Sequence, residues 1–387
     1  MLADTDAGSV VTAAQSGARW GYALLALQIV LVPILFVVQE LTVRLGIVSG
    51  KGHGQLIAEH FGRLWAWVSV GTLALACLGA ILSELSGLAG VAELFGISPW
   101  ISMGIVAGGL ILMAFTGSYL SVERFAMAIG AFELVFLLVA WQAHPDTGAM
   151  LRGTLEVPWR DGDYRYLVAA NIGAVLMPWM VFFQQSSVVE KGLTREDLAA
   201  ARWDTALGAL ATQIIMAAVL VAAASLGESG KHASLESVGQ ISQAFTAVMG
   251  PLAGRVFFGL GLTGSALVAT IVVTLTAARS ISELLGLRHS LANTPREAPW
   301  FYGIYIFVLV AGAAAVASGS DLVRLSVGAQ VMNALLLPVV LGFLYLLARR
   351  LPLPYRLRGA YAWMVLAMMV CTTTLGVYAG ISGIIGI

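Results

Sequence analysis

The chain has 387 residues, of which 59% are hydrophobic and only 11% are charged, and its mean hydropathy is +0.88. Soluble globular proteins carry about 25% charged residues, so this composition indicates an integral membrane protein. The formal net charge is zero, which argues against a nucleic-acid-binding surface. The five histidines are scattered without the spacing of metal ligands, so no zinc-type centre is expected.

Apolar segments fill most of the chain. A helix that crosses a bilayer needs about 20 apolar residues, and eleven segments are predicted, the first shorter than the others. They lie near residues 1–17, 19–47, 64–94, 100–117, 122–142, 164–189, 203–226, 252–285, 300–317, 322–348 and 359–386. The prediction is therefore a single all-α transmembrane domain over residues 1–387, with no soluble domain attached.

The positive charges predict an orientation. If the N-terminus is cytoplasmic, about 14 of the 21 Lys and Arg residues fall in cytoplasmic loops, in agreement with the positive-inside rule. The glycine-rich stretch from Gly50 to Gly54 is interpreted as a turn in one of these loops. The expected location is a bacterial-type inner (plasma) membrane.

The first segment begins with two acids, Asp4 and Asp6, beside Gly8. Carboxylates make a poor start for a membrane helix, and an acid inside a membrane is a candidate functional residue. The alternative is that both acids form a solvated cap at the N-terminus. The residues alone leave both interpretations open.

The sixth segment contains a predicted break at Pro178. Proline has no N–H, so the carbonyl of Ala174, four residues earlier, loses its helical partner. Gly173 loosens the backbone before the break, and Met177 places a thioether on the same side as the freed carbonyl. A carbonyl and a sulfur at a broken span suggest a site for a small cation.

Several stretches together follow a known pattern: Asp6-Ala7-Gly8-Ser9, Gln39-Glu40-Leu41, Glu84-Leu85-Ser86-Gly87, Ala174-x-x-Met177-Pro178, and Gln330 eight residues before Pro338. They resemble the Nramp family of divalent-metal transporters, whose motifs are D-P-G-N in the first span and A-x-x-M-P-H in the sixth. The two broken-helix motifs at this separation are fairly specific together, whereas each alone is weak.

The resemblance implies a leucine-transporter-type fold. In that fold two inverted repeats of five helices, here about 1–142 and 164–348, are followed by an eleventh helix near 359–386, and helices one and six are unwound. The resemblance also implies the metal ligands, which are Asp6, Ser9, Ala174, Met177 and Gln330. The chemistry agrees, because the soft thioether of methionine favours a transition metal over Mg²⁺ or Ca²⁺.

The chain departs from the family pattern at several positions. Ser9 replaces an asparagine, and Ala7 replaces a proline, so the first helix break would depend on Gly8 alone. Trp179 replaces a histidine, and Ile81 falls where the family has a proton-accepting aspartate. The ninth span, 300–317, contains no arginine. Proton coupling by the family route is therefore not expected.

Other acids lie inside predicted spans. Glu84 is retained and is the candidate proton relay; the alternative is a polar contact between packed helices. Glu40 is interpreted as a helix-packing or gating residue, and Glu133 is left unassigned. Only five residues precede Asp6, where the family has a half-helix, so either the start lies further upstream or the half-helix is absent.

These observations predict a transporter of a divalent transition metal, Mn²⁺ or Fe²⁺, that works by alternating access in a lipid bilayer. No Ser/His or paired-acid constellation supports an enzyme. No permanently bound cofactor and no obligate protein partner are expected. The alternatives are a cation-coupled organic-solute symporter of the same fold and a Mg²⁺ transporter.

Overall fold

The computed structural model describes residues 4–116, 128, 130–225, 235, 237–288, 290–291, 293–319 and 322–386. The first part of the predicted segment 122–142, residues 122–127 and 129, lies outside these ranges. Within the described ranges the chain is helical and contains no β-strand. The prediction of an all-α chain is confirmed.

The helices of the first half that the structure describes are α1 (Ala7–Trp20), α2 (Leu25–Ser49), α3 (His53–Phe61), α4 (Arg63–Leu94), α5 (Pro99–Thr116), α6 (Val135–Gln142) and α7 (Thr147–Thr154). A 3₁₀ turn, Ala131–Leu134, leads into α6. Asp146 begins α7 as its N-cap, and its side chain accepts a hydrogen bond from the N–H of Gly148.

The described helices of the second half are α8 (Gly162–Val175), α9 (Pro178–Glu190), α10 (Leu198–Ala224), α11 (Val238–Met249), α12 (Pro251–Leu284), α13 (Pro299–Ala317), α14 (Leu322–Ala348) and α15 (Gly359–Ile385). A 3₁₀ turn, Arg195–Asp197, precedes α10 and carries a capping box in which Thr194 and Asp197 bond each other's backbone N–H.

Eight helical segments among the described residues are long and apolar enough to cross a membrane: α2, α4, α8 together with α9, α10, α12, α13, α14 and α15. The shorter apolar helices α5 and α6, together with α1, complete the eleven predicted segments. Within an apolar window of 18 residues in each span, the share of buried residues rises from 33% in α15 to 89% in the span formed by α8 and α9. The broken span therefore lies at the centre of the protein, and α15 lies at its edge.

Three short helices were not predicted. Helix α3 begins at His53, inside the stretch that the sequence assigned to a turn, whereas α7 and α11 lie in the two longest polar connections. These helices have 8 to 12 residues, and a segment that short forms a stable helix only where tertiary packing supports it. Composition alone therefore does not reveal them.

Glu40 acts as a helix-packing residue. It is 3% exposed, and its Oε1 accepts hydrogen bonds from Arg44 Nε (3.0 Å) on the same helix and from Arg202 Nε (2.7 Å) on α10. The pairing of Glu40 with two arginines compensates its desolvation and ties α2 to α10.

The packing of α8 against α14 depends on a glycine. A Cβ added to Gly173 would lie 1.8 Å from the backbone oxygen of Gln330 and 2.8 Å from the backbone nitrogen of Ala334. Small residues allow helices in a membrane to approach this closely. The contact fixes the backbone beside the break against α14.

We expect Gly173→Ala to destabilise the protein. The added methyl group would collide with backbone atoms that no side-chain rotation can move, and overpacking of this kind costs about 1–3 kcal/mol. Thermal unfolding of the purified protein should show a lower midpoint. Gly303→Ala in α13 is the matched control, because its Cβ would meet nothing within 4 Å; equal midpoints for the two variants would contradict the packing argument.

Candidate functional site

The first part of the site is the beginning of α1. Asp6 is the N-cap residue, in an extended conformation (φ −79°, ψ 170°), and its Oδ1 accepts a 2.6 Å hydrogen bond from the N–H of Ser9. Asp6 and Ser9 are both fully buried. The negative charge of Asp6 therefore lies at the positive end of the helix dipole, where it is stabilised.

The expected role of Gly8 was wrong. Gly8 does not break the helix, because it lies in the first turn of α1. Its importance is spatial: a Cβ there would lie 2.2 Å from Gln330 Nε2 and 2.5 Å from Ser83 Oγ. The absence of a side chain lets α14 and α4 approach the segment that carries Asp6.

The second part of the site is the break between α8 and α9. Helix α8 ends with a hydrogen bond from Leu176 N–H to the Ile172 carbonyl (2.9 Å). Met177 has an extended backbone (φ −75°, ψ 127°), as expected for a residue before proline. Pro178 then occupies the first position of α9, where a missing N–H costs nothing. The break is where the sequence predicted it.

A hydrogen bond joins the two parts. The Ser9 hydroxyl donates to the freed carbonyl of Ala174 over 3.0 Å. Neighbouring oxygens in an octahedral shell with metal–oxygen distances of about 2.1–2.4 Å lie roughly 3.0–3.4 Å apart. The two oxygens are therefore spaced as adjacent ligands of one metal ion would be.

Gln330 of α14 also reaches the site. Its Nε2 lies 3.5 Å from both carboxylate oxygens of Asp6, and its Oε1 accepts a 2.9 Å hydrogen bond from Asn333 Nδ2. Asn333 thereby fixes the orientation of the Gln330 amide, with the N–H side facing Asp6. In this state Gln330 is a hydrogen-bond donor to the site, and it must turn before its oxygen can bind a metal.

Glu84 of α4 lies beside Asp6. Its Oε2 accepts a 2.8 Å hydrogen bond from the N–H of Ala7, and its carboxyl group is also in hydrogen-bonding contact with Asp6. Two adjacent carboxyl groups are stable when one of them holds a proton or when a cation lies near them. The candidate proton relay Glu84 is thus in contact with Asp6, the first of the predicted metal ligands.

Met177 enters the site through the break itself. It is 1% exposed and forms the N-cap of α9, three residues after the Ala174 carbonyl. Hydrogen bonds thus connect Asp6, Ser9, Ala174, Gln330 and Glu84. Met177 is held near them by the backbone of the break, since it follows Ala174 by three residues.

Sequence reasoning left Glu133 without a role, and the structure gives it a contact. Thr5, next to Asp6, donates a hydrogen bond from its hydroxyl to Glu133 Oε2, and Glu133 is fully buried. In the sequence, Glu133 could be noticed only as an acid inside an apolar segment, and its contact with Thr5 could not be predicted without the fold. Glu133 therefore adds a further carboxyl group to those of Asp4, Asp6 and Glu84 near the start of α1.

Two positions that carry proton-transferring side chains in the Nramp pattern carry buried apolar side chains here, Trp179 and Ile81. Trp179 is fully buried, and Ile81, 1% exposed, packs against Gly312 of α13. Among the described residues, no three His, Cys, Asp or Glu side chains are grouped so that they could hold a metal ion.

Comparison with known proteins identifies relatives over most of the chain. The family model described as "Natural resistance-associated macrophage protein-like" (Nramp) matches residues 1–382. The divalent metal cation transporter MntH of Yersinia pestis (strain Pestoides F) is 30% identical over 295 residues, which cover 71% of this chain and 68% of the relative. MntH of Klebsiella pneumoniae (strain 342) is 26% identical over 282 residues, covering 70% and 67%.

Solved structures share the fold. A manganese transporter of Eremococcus coleocola matches with a TM-score of 0.75 and 19% identity, covering 100% of this chain and 86% of that chain. Mhp1, a nucleobase-cation-symport-1 family transporter, matches with a TM-score of 0.61 and 16% identity, covering 99% and 91%. MhsT matches with a TM-score of 0.58 and 13% identity, covering 98% of each chain. The predicted leucine-transporter-type fold is confirmed.

We expect Ser9→Ala to destabilise the protein in the absence of metal. The substitution leaves the buried Ala174 carbonyl without its hydrogen bond, and such a group costs about 1–3 kcal/mol. Thermal unfolding in chelator-treated buffer measures the effect. Ser265→Ala in α12 is the control, because among the described residues that hydroxyl bonds the Leu262 carbonyl of its own helix; a loss of the same size in both variants would contradict the role given to Ser9.

Proposed function

Because the chain belongs to the Nramp family, we propose that it carries a divalent transition-metal ion, Mn²⁺ or Fe²⁺, across a membrane by alternating access. Asp6, Ala174 and Met177 are the principal ligands, with Ser9 and Gln330 as helpers. The observation that carries the proposal is the hydrogen bond from Ser9 to the Ala174 carbonyl, because it joins the start of α1 to the break between α8 and α9 beside a buried carboxylate.

The donor set supports a transition metal as the cargo. Asp6 supplies the negative charge, Ala174 and Ser9 supply neutral oxygens, and Met177 supplies a soft sulfur. Mg²⁺ and Ca²⁺ prefer shells made of oxygen, whereas thioether ligands favour softer ions. Selection among divalent ions therefore falls to Met177.

The proposed mechanism needs no proton relay of the family type. Trp179 cannot accept a proton, and Ile81 has no ionisable group. Glu84 is the proposed proton relay if metal movement is coupled to protons, since it touches Asp6. Binding of a divalent cation at Asp6 would displace a proton shared between these two carboxyl groups.

The proposed architecture places the whole chain in one transporter domain. The inverted repeats cover about residues 1–142 and 164–348, and the extra helix covers about 359–386. We place the protein in a bacterial-type inner membrane with the N-terminal side in the cytoplasm, so that the loop between α2 and α4 is cytoplasmic. The excess of Lys and Arg in the loops on that side supports this orientation.

Uptake of Mn²⁺ into proteoliposomes, recorded together with internal pH, tests the function. Uptake without acidification would support a metal transporter that does not use protons. Competition by Mg²⁺ stronger than competition by Fe²⁺ would favour a Mg²⁺ transporter. Failure of every divalent ion to move would overturn the proposal and would favour the organic-solute symporter.

We expect Asp6→Ala to abolish Mn²⁺ uptake, because the variant loses the only charged group among the proposed ligands. Asp204→Ala, a substitution at an exposed position of α10, should transport at the wild-type rate. Initial uptake rates in proteoliposomes with equal protein content measure both variants. Robust transport by Asp6→Ala would show that the site is elsewhere.

We expect Met177→Ala to relax selectivity while transport continues. Loss of the thioether should reduce the preference for Mn²⁺ over Ca²⁺ about tenfold, equivalent to ~1.4 kcal/mol of binding free energy. Competition of Ca²⁺ against Mn²⁺ uptake measures this ratio. Met180→Ala is the matched control, since Met180 is also 1% exposed but lies inside α9; unchanged selectivity in Met177→Ala would assign Met177 to packing.

A further inference from the structure

Helix α9 connects the candidate site to a buried histidine. Starting just after the break, Trp179, Phe182 and Gln185 follow one another at intervals of three residues and share one face of the helix. All three side chains are at most 1% exposed. Where this face ends, it meets His53, the first residue of α3.

Two contacts hold the imidazole of His53 against α9. Its ring packs edge-on against the ring of Phe182, with a centroid distance of 4.8 Å. Its Nδ1 lies 2.8 Å from Gln185 Oε1. His53 is 1% exposed, so the ring is enclosed in the state described here.

The hydrogen bonds of Gln185 define which nitrogen of His53 carries the proton. Gln185 Nε2 donates to the backbone carbonyl of Lys51 over 2.9 Å, so its Oε1 must be the atom that faces His53. Nδ1 therefore donates its proton to Gln185, and Nε2 carries a lone pair. Among the described residues Nε2 has no hydrogen-bond partner.

An imidazole in this form is ready to bind a metal. Metal-binding histidines commonly donate one ring N–H to an oxygen acceptor, which fixes the tautomer and orients the other nitrogen toward the metal. Burial lowers the pKa of His53 to about 4, so the ring is neutral near pH 7. A carboxylate of α12 lies next to the residue before His53, since a Cβ on Gly52 would be 2.3 Å from Glu283 Oε1.

We propose that His53 Nε2 binds the transition-metal ion transiently on the cytoplasmic side of the candidate site, as a way station on the exit route along α9. The inference rests on the proposed function, because the metal is the cargo. Trp179 and Phe182 give the intervening face no charged group, so His53 is the first nitrogen ligand beyond the break along this face. A neutral single imidazole binds weakly enough to release the ion.

Substitution of the histidine tests the transport role. His53→Gln should lower the initial rate of Mn²⁺ uptake about fivefold and leave Mn²⁺ affinity at the Asp6 site unchanged. His60→Gln is the matched control: it lies in the same helix, and its Nδ1 contacts the Leu56 carbonyl. A wild-type uptake rate in His53→Gln would overturn the way station without affecting the proposed function, whereas no uptake by the wild-type protein would overturn both.

Pulsed electron paramagnetic resonance of bound Mn²⁺ tests the ligand directly, because imidazole coordination gives a nitrogen modulation. The full chain carrying Asp6→Ala is loaded with millimolar Mn²⁺, so that the first site does not dominate the signal. We expect the modulation in Asp6→Ala and in Asp6→Ala with His60→Gln, and its loss in Asp6→Ala with His53→Gln. Absence of the modulation from Asp6→Ala, or its persistence without His53, would overturn the assignment.

Discussion

The centre of the structure depends on one backbone carbonyl. Pro178 removes the N–H that would have bonded the oxygen of Ala174, and a buried carbonyl left unsatisfied costs about 1–3 kcal/mol. The Ser9 hydroxyl supplies the missing hydrogen bond, so the break in one helix is stabilised by the start of another. Because the Ser9 hydroxyl can rotate its hydrogen away, the Ala174 oxygen could bind a cation instead without any change in the helices.

Acids at the centre and acids near the helix ends are stabilised differently. Glu40 is paired with Arg44 and Arg202, so its charge is already compensated. Among the described residues the groups in hydrogen-bonding contact with Asp6, by contrast, are Ser9, Gln330 and the carboxyl group of Glu84, and none of them brings a positive charge. A buried carboxylate without a cationic partner gains most from a bound cation. In the proposed function the transported ion supplies the positive charge that this centre lacks.

The sequence predicted those parts of the fold and site that depend on local chemistry. The break at Pro178 follows from the missing N–H, and the spans follow from apolar length. The roles of Gly8 and Gln330 could not be predicted, because both depend on which residues meet in the folded protein. Gly8 is needed because α14 approaches it closely, and the orientation of the Gln330 amide depends on Asn333. The three short helices were missed because packing, rather than composition, stabilises them.

The histidines illustrate the same limit. Spacing along the chain showed no group of ligands, and the described residues contain no group of three or more His, Cys, Asp or Glu side chains that could hold a metal. His53 becomes noticeable only when Gln185, more than a hundred residues away, is seen to fix its tautomer. The orientation of the His53 Nε2 lone pair therefore depends on the fold and could not be predicted from the sequence.

The amide of Gln330 has a consequence for the unloaded transporter. Its N–H side faces Asp6 and partly compensates the carboxylate, while Asn333 holds it in place. A transporter whose empty site is stabilised by its own side chains can change conformation without a bound ion. This step returns the transporter to its starting conformation and allows net flux. If this amide instead left Asp6 uncompensated, only loaded carriers would cross, and the protein would exchange ions across the membrane without accumulating them.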